Sequence, residues 1–171
     1  ALYLLREVSL DNRGVKRIRH SLFARVRLEE FSKGVILPHE ETRQTAKRDR
    51  LELLSASKAN LSPIMGLYRD PSGVIKEILE QAMLKSPLSA VENVDGQDFT
   101  LWDLSEVSEI EAIHQALLPL SIYLADGHHR SASSSLLCEN LRKENPNYSP
   151  EDNFNFFMSF LIPESQLNII N

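Results

Sequence analysis

The most constraining stretch of this sequence is Leu120–Arg130, where an apolar run enters a helical pattern through one glycine. Leu120-Ser121-Ile122-Tyr123-Leu124 reads as a buried strand, and His128–Lys143 as a helix. The junction gathers Asp126, His128, His129 and Arg130 around Gly127, so four polar side chains meet at one strand-to-helix turn. A chain built around such a turn needs a sheet with helices packed on it. The expected fold class is α+β, a mixed sheet with flanking helices.

At 171 residues, 42% hydrophobic and 25% charged, the chain has the size and composition of a single domain, and disorder is excluded. It opens within a strand-like run and closes on Leu167-Asn168-Ile169-Ile170-Asn171, which reads as a folded fragment of a longer protein. No apolar run approaches the ~18 residues of a membrane span and no signal-peptide pattern opens the chain, so a soluble cytoplasmic protein is expected. The single cysteine, Cys138, falls inside a predicted helix, where a small packing residue is the expected role. The net charge of −5 hides an asymmetry, about +5 over residues 1–50 and about −10 over 51–171. A basic first half suits a phosphate-bearing ligand, whereas the acidic remainder argues against a long nucleic acid.

In chain order, residues 1–10 and 20–31 read as strands around the turn Asp11–Gly14, with Arg17, Arg19, Arg25 and Arg27 on solvated faces. Val35–Pro38 is extended and delivers the polar block His39-Glu40-Glu41-Thr42-Arg43. Gln44–Ser57 reads as a helix on which Arg43, Lys47, Arg50 and Leu54 share one stripe, basic at its start and apolar at its end. Leu61–Tyr68 reads as a strand. Val74, Ile75, Ile78, Leu79 and Met83 mark an amphipathic helix, and two strands near Pro87–Val91 and Phe99–Leu104 are joined by the hairpin signal Asp95-Gly96. Ser105 or Ser108 caps the next helix, whose buried side carries Ile110, Ile113, His114 and Leu117. The helix after Gly127 presents Ala132, Leu136, Leu137 and Leu141 as its apolar face. Phe154–Ile162 is a final strand ending at Pro163.

The chemistry available at the turn is that of anion recognition. A helix N-terminus offers unpaired N–H groups and partial positive charge, Gly127 permits close approach, and Arg130 adds a planar fork suited to phosphate oxygens. His128 and His129 donate hydrogen bonds or titrate near neutrality. Asp126 either holds Mg²⁺ or accepts N–H bonds from the turn. Glu40 and Glu41 supply carboxylates for proton abstraction, with a salt-bridged surface loop as the alternative. A zinc or iron site from His39, Glu40, His128, His129 and Asp126 has suitable ligand types, though no motif places two of them on one face. The multi-glycine spacing of P-loops and dinucleotide folds is missing.

These blocks carry a resemblance. His39-Glu40-Glu41-Thr42, Lys47-x-Asp49-Arg50-Leu51, Ala59-Asn60-Leu61-Ser62-Pro63-Ile64, Leu101-Trp102 and Tyr123–Arg130 resemble, in order, the signatures of an uncharacterised bacterial and archaeal family, domain of unknown function number one thousand and fifteen. Its Asp-Gly-His-His-Arg turn is in turn similar to the phosphate motif of the ParB/sulfiredoxin superfamily, which includes ParB CTPases, sulfiredoxins and free-serine kinases. By that resemblance Gly127, His128, His129 and Arg130 bind nucleotide phosphates and Asp126 assists a metal or the acceptor. The sulfiredoxin cysteine has no counterpart, and residue 131 is Ser where an aromatic is common.

The resulting expectation is an ATP- or ADP-dependent small-molecule kinase with Mg²⁺. Arg130 and the helix start hold phosphate, His129 donates to it, Glu40 or Glu41 activates a hydroxyl, and Arg43, Lys47 and Arg50 neutralise charge. A nucleotide-gated switch of ParB type is the alternative, and a metal-dependent hydrolase the third reading. The geometric expectation is that His39–Arg50 and Asp126–Arg130 face one another.

Overall fold

The computed structural model describes residues 2–40 and 44–167, with the side chains of 44–47 also outside the description. Among these residues lie eight strands and four α-helices, an α+β arrangement with a mixed sheet. Its contacts divide into two compact units, one of residues 1–24, 67–120 and 161–171, the other of 25–66 and 121–160.

In the first unit the strands run in the order β2-β1-β6-β5 and every pair is antiparallel. β1 (Leu2–Leu10) pairs with β2 (Lys16–Arg27), placing Leu4 opposite Leu22, both fully buried. β2 begins four residues earlier than its alternation suggested because Asp11 organises a tight turn. Its carboxylate accepts the N–H groups of Arg13 and Val15, each at 2.9 Å, and Arg17 closes on its other oxygen. β5 (Ser89–Val94) and β6 (Gln97–Leu104) form the expected hairpin. Asp95 (φ 52°) and Gly96 (φ 79°) both adopt the left-handed conformation of a primed turn.

Two helices cover this unit. α2 (Val74–Ala82) buries Ile75, Leu79 and Ala82, and α3 (Val107–Leu117) buries Ile113. Neither Ser105 nor Ser108 caps α3. Glu106 holds the N-cap position without a side-chain bond, leaving one serine before it and the other in the first turn. His114 points to solvent beside Glu111 rather than into the core.

In the second unit the order is β3-β7-β4-β8. β3 (Ile36–Leu37) lies parallel to β7 (Ile122–Asp126), with Ile36 opposite Ile122. β4 (Ile64–Tyr68) and β8 (Phe156–Pro163) follow, and the core is built of Leu28, Ile36, Ile64, Leu124, Cys138 and Phe157. α1 (Gln44–Ser57) packs against α4 (His128–Glu144).

The buried stripe of α4 is not the leucine face. Leu136 is 40% exposed, while Ser131, Ser133, Ser134 and Cys138 are buried. Small side chains at the spacing i, i+3, i+7 let α4 approach its neighbours closely, and apolar count alone misses that. Burial pushes the Cys138 thiol up, which leaves it inert, as a packing residue should be. Arg25 and Arg27 lie on an exposed face as expected, where their guanidinium groups also flank the Phe156 ring at 4.1 and 4.6 Å from its centroid.

Candidate anion and metal site

The site forms at the carboxyl ends of two parallel strands. β3 and β7 point the same way, so the residues that follow each emerge at the same edge. After β3 come Pro38, His39 and Glu40, with a bend at 39–40; after β7 comes Gly127 and then α4. Residues far apart in sequence are thereby brought together.

Gly127 is the N-cap of α4 and sits at φ 89°, ψ 24°, with no side chain capping the helix. Among the described residues, the first N–H groups of this 17-residue helix therefore have neither an intrahelical acceptor nor a side-chain cap. Arg130 folds back over the turn. Its Nη2 donates to Asp126 Oδ2 at 2.5 Å, and its Nη1 donates to the Ser62 hydroxyl. A cavity of about 60 Å³ lies beside it, lined by Arg50, Asn60, Ser62, Arg130, Ser133 and Ser134 together with Leu53 and Leu54. Two arginines, an asparagine and three serines thus border one small space.

A second cluster lies on the strand side. His128, the first residue of α4, is buried, while His39 and Glu40 are exposed. His39 Nδ1 lies 2.6 Å from the Leu124 carbonyl. A carbonyl can only accept, so Nδ1 carries the proton and the His39 lone pair resides on Nε2. His128 Nδ1 lies 3.3 Å from Glu40 Oε1, its Nε2 faces the His39 backbone N–H at 3.5 Å, and the two rings meet edge to face at 4.3 Å. Burial, and next the neighbouring His39, hold the His128 pKa below its ordinary value, with Glu40 and Asp126 opposing. One ligand atom each from His39, Glu40 and His128 lie within 4.8 Å of one another.

The sequence-predicted residues fall into three sets. Glu40, His39 and His128 come together, as do Arg50 and Arg130. Asp126 is engaged by Arg130, and His129 stands on the first turn of α4 with Nδ1 buried and unpaired among the described residues. Glu41, Arg43 and the side chain of Lys47 lie outside the described residues. Sequence reading gave no site role to Asn60 and Ser62, although Asn60-Leu61-Ser62 belongs to a motif segment that could have drawn attention to them, and it read Ser133 and Ser134 as capping or close-packing residues.

No curated protein and no solved structure matched the chain. Among the described residues no helix is long and apolar enough to cross a membrane. One family does match, over residues 1–171 and so over every segment that carries the clusters above. The chain belongs to the family described as a protein of unknown function, DUF1015.

Proposed function

We propose that this chain binds the phosphate groups of a nucleotide at the Asp126–Arg130 turn and transfers a phosphoryl group to a small hydroxy compound. The observation that carries the reading is that Arg50 and Arg130, the latter on the first turn of α4, line one small cavity. Helix N–H groups and guanidinium forks are both donors matched to phosphate oxygens, and their charges add.

The Arg130–Asp126 pair does not block this use. Asp126 is largely exposed, and an exposed ion pair is worth only ~0–1 kcal/mol, so a phosphate that engages Arg130 displaces it at small cost. Asp126 is then free to face the Mg²⁺ that accompanies a nucleotide. In the transfer step, the acceptor oxygen attacks the terminal phosphorus, the bond from that phosphorus to its bridging oxygen breaks, and the nucleotide leaves with that oxygen. Glu40, the carboxylate beside His128, takes the acceptor's proton, and Arg50 and Arg130 balance the charge on the moving phosphoryl group.

Calorimetric titration with ATP, ADP and CTP, with and without Mg²⁺, tests the binding step. Saturable binding of at least one nucleotide is expected, weakened about tenfold or more in Arg130→Ala, the loss of a charged hydrogen-bonding partner. Absence of binding to the unaltered chain overturns the reading. Incubation of a binding nucleotide with serine or a related hydroxy compound, followed by detection of the phosphorylated product, tests the transfer.

A further inference from the structure

The His39–Glu40–His128 cluster has a geometry that phosphate binding does not require. Two imidazoles and one carboxylate converge from two chain segments, each offering a ligand atom within 4.8 Å of the others. The His128 Nδ1 to Glu40 Oε1 separation of 3.3 Å is close to the about 3.4 Å between ligands held ~2.1 Å from a tetrahedral ion. We propose that His39, Glu40 and His128 form a binding site for a divalent first-row transition metal.

A second, independent observation is the fixing of the His39 ring. Its Nδ1–H donates to the Leu124 carbonyl at 2.6 Å, which orients the ring and leaves Nε2 as the donor atom. Metal-binding histidines are commonly held in this way, the outer nitrogen donating to a carbonyl or carboxylate while the inner one ligates. His128 is fixed differently, by burial on the first turn of α4. With a metal on Nδ1, its ring proton resides on Nε2, and the contact with the His39 N–H, already at the 3.5 Å limit of a hydrogen bond, opens.

The donor set selects the class of ion. Imidazole nitrogen favours Zn²⁺, Fe²⁺, Co²⁺ and their neighbours, whereas Mg²⁺ and Ca²⁺ are held by oxygen ligands. Three protein ligands leave positions for water or for a substrate oxygen, and the exposed His39 and Glu40 give an entry path. This site shares Glu40 with the phosphate reading but involves neither Arg50 nor Arg130. Where both hold, the ion rather than a free Glu40 carboxylate polarises the acceptor oxygen.

Titration of the whole chain with Co²⁺ in the absence of nucleotide tests the site, read by calorimetry and by the visible absorption of nitrogen-coordinated cobalt. One equivalent is expected to bind, to be displaced by Zn²⁺ and not by a large excess of Mg²⁺. Glu40→Gln and His39→Ala, both at exposed positions, are expected to weaken binding about tenfold or more. His128→Asn reports on the buried ligand, with circular dichroism confirming that it folds. Arg130→Ala should leave Co²⁺ binding intact, which separates failure of this site from failure of the nucleotide site. No stoichiometric binding, equal affinity in Glu40→Gln and His39→Ala, or displacement by Mg²⁺ would each overturn the proposal.

Discussion

Gly127 satisfies a backbone constraint and a steric one together. Its φ of +89° lies in the region L side chains avoid, and a Cβ built there meets Arg130 Nε and Nη2 at 3.0 Å and Ile64 Cγ1 at 3.2 Å. The arginine can swing away. Ile64, 1% exposed in the core, cannot. Left-handed backbone costs a non-glycine residue ~1–2 kcal/mol, so Gly127→Ala is expected to lower the unfolding free energy by about 1–3 kcal/mol in urea titrations once crowding is added. Gly96→Ala is the internal comparison, since Gly96 has a similar φ of +79° but open space around it. The difference between the two losses measures the crowding alone, and equal losses would mean that Ile64 yields. Because the same substitution pushes Arg130 aside, nucleotide affinity should fall in Gly127→Ala and stay unchanged in Gly96→Ala.

Among elements, the junction leading into β8 depends on one buried amide. Asn155 is fully buried, and its Oδ1 accepts from Arg142 Nε at 2.9 Å and Nη2 at 2.7 Å, while its Nδ2 donates to the Ser149 carbonyl at 2.9 Å. Its own carbonyl accepts the Leu28 N–H at 2.8 Å. Asn155 thereby ties the last turns of α4 to the start of β8 and to the residue after β2. Truncation to Ala strands the Arg142 guanidinium and the Ser149 carbonyl, and a stability loss of about 2–4 kcal/mol is expected, measurable by chemical denaturation. A loss below about half a kilocalorie would show that water replaces the amide.

Nothing in the sequence marked Asn155, because an isolated Asn before an apolar run carries no periodic signal. Elements with strong local determinants were legible: α1 over Gln44–Ser57, the Asp95-Gly96 hairpin and the Gly127 start of α4 all emerge where expected. The buried stripe of α4 was legible in part: Ser131, Ser134 and Cys138 read as small packing residues, while the apolar face was placed on the leucines because hydropathy rather than size was weighed. The meeting of His39 and Glu40 with His128, 89 residues from His39, was expected from the two polar blocks, but the pairing that delivers it was not. It depends on the two-residue strand β3 pairing parallel with β7, and two residues are too few for a pattern to betray the partner.

At the scale of the molecule, folding is coupled to pH through histidines held neutral. His20 in the first unit has its pKa lowered, by burial first and then by Arg6, with Glu80 opposing, and Gln166 closes on its ring nitrogen and backbone N–H. His128 in the second unit is lowered as well, again mainly by burial. A histidine whose folded pKa lies below 6.5 binds its proton more readily in the unfolded chain, so the unfolded state gains as pH falls through that value. Stability is therefore expected to be level above about pH 7 and to fall between about pH 6.5 and 5. Urea midpoints at a series of pH values check this, and His20→Gln should flatten part of the slope; a rise in stability on acidification would contradict the direction.

The division into two compact units has a further consequence. The backbone passes from one unit to the other after residues 24, 66, 120 and 160, so neither unit is written in a contiguous stretch of the gene. Removing residues from either end of this stretch cannot yield one unit intact and alone.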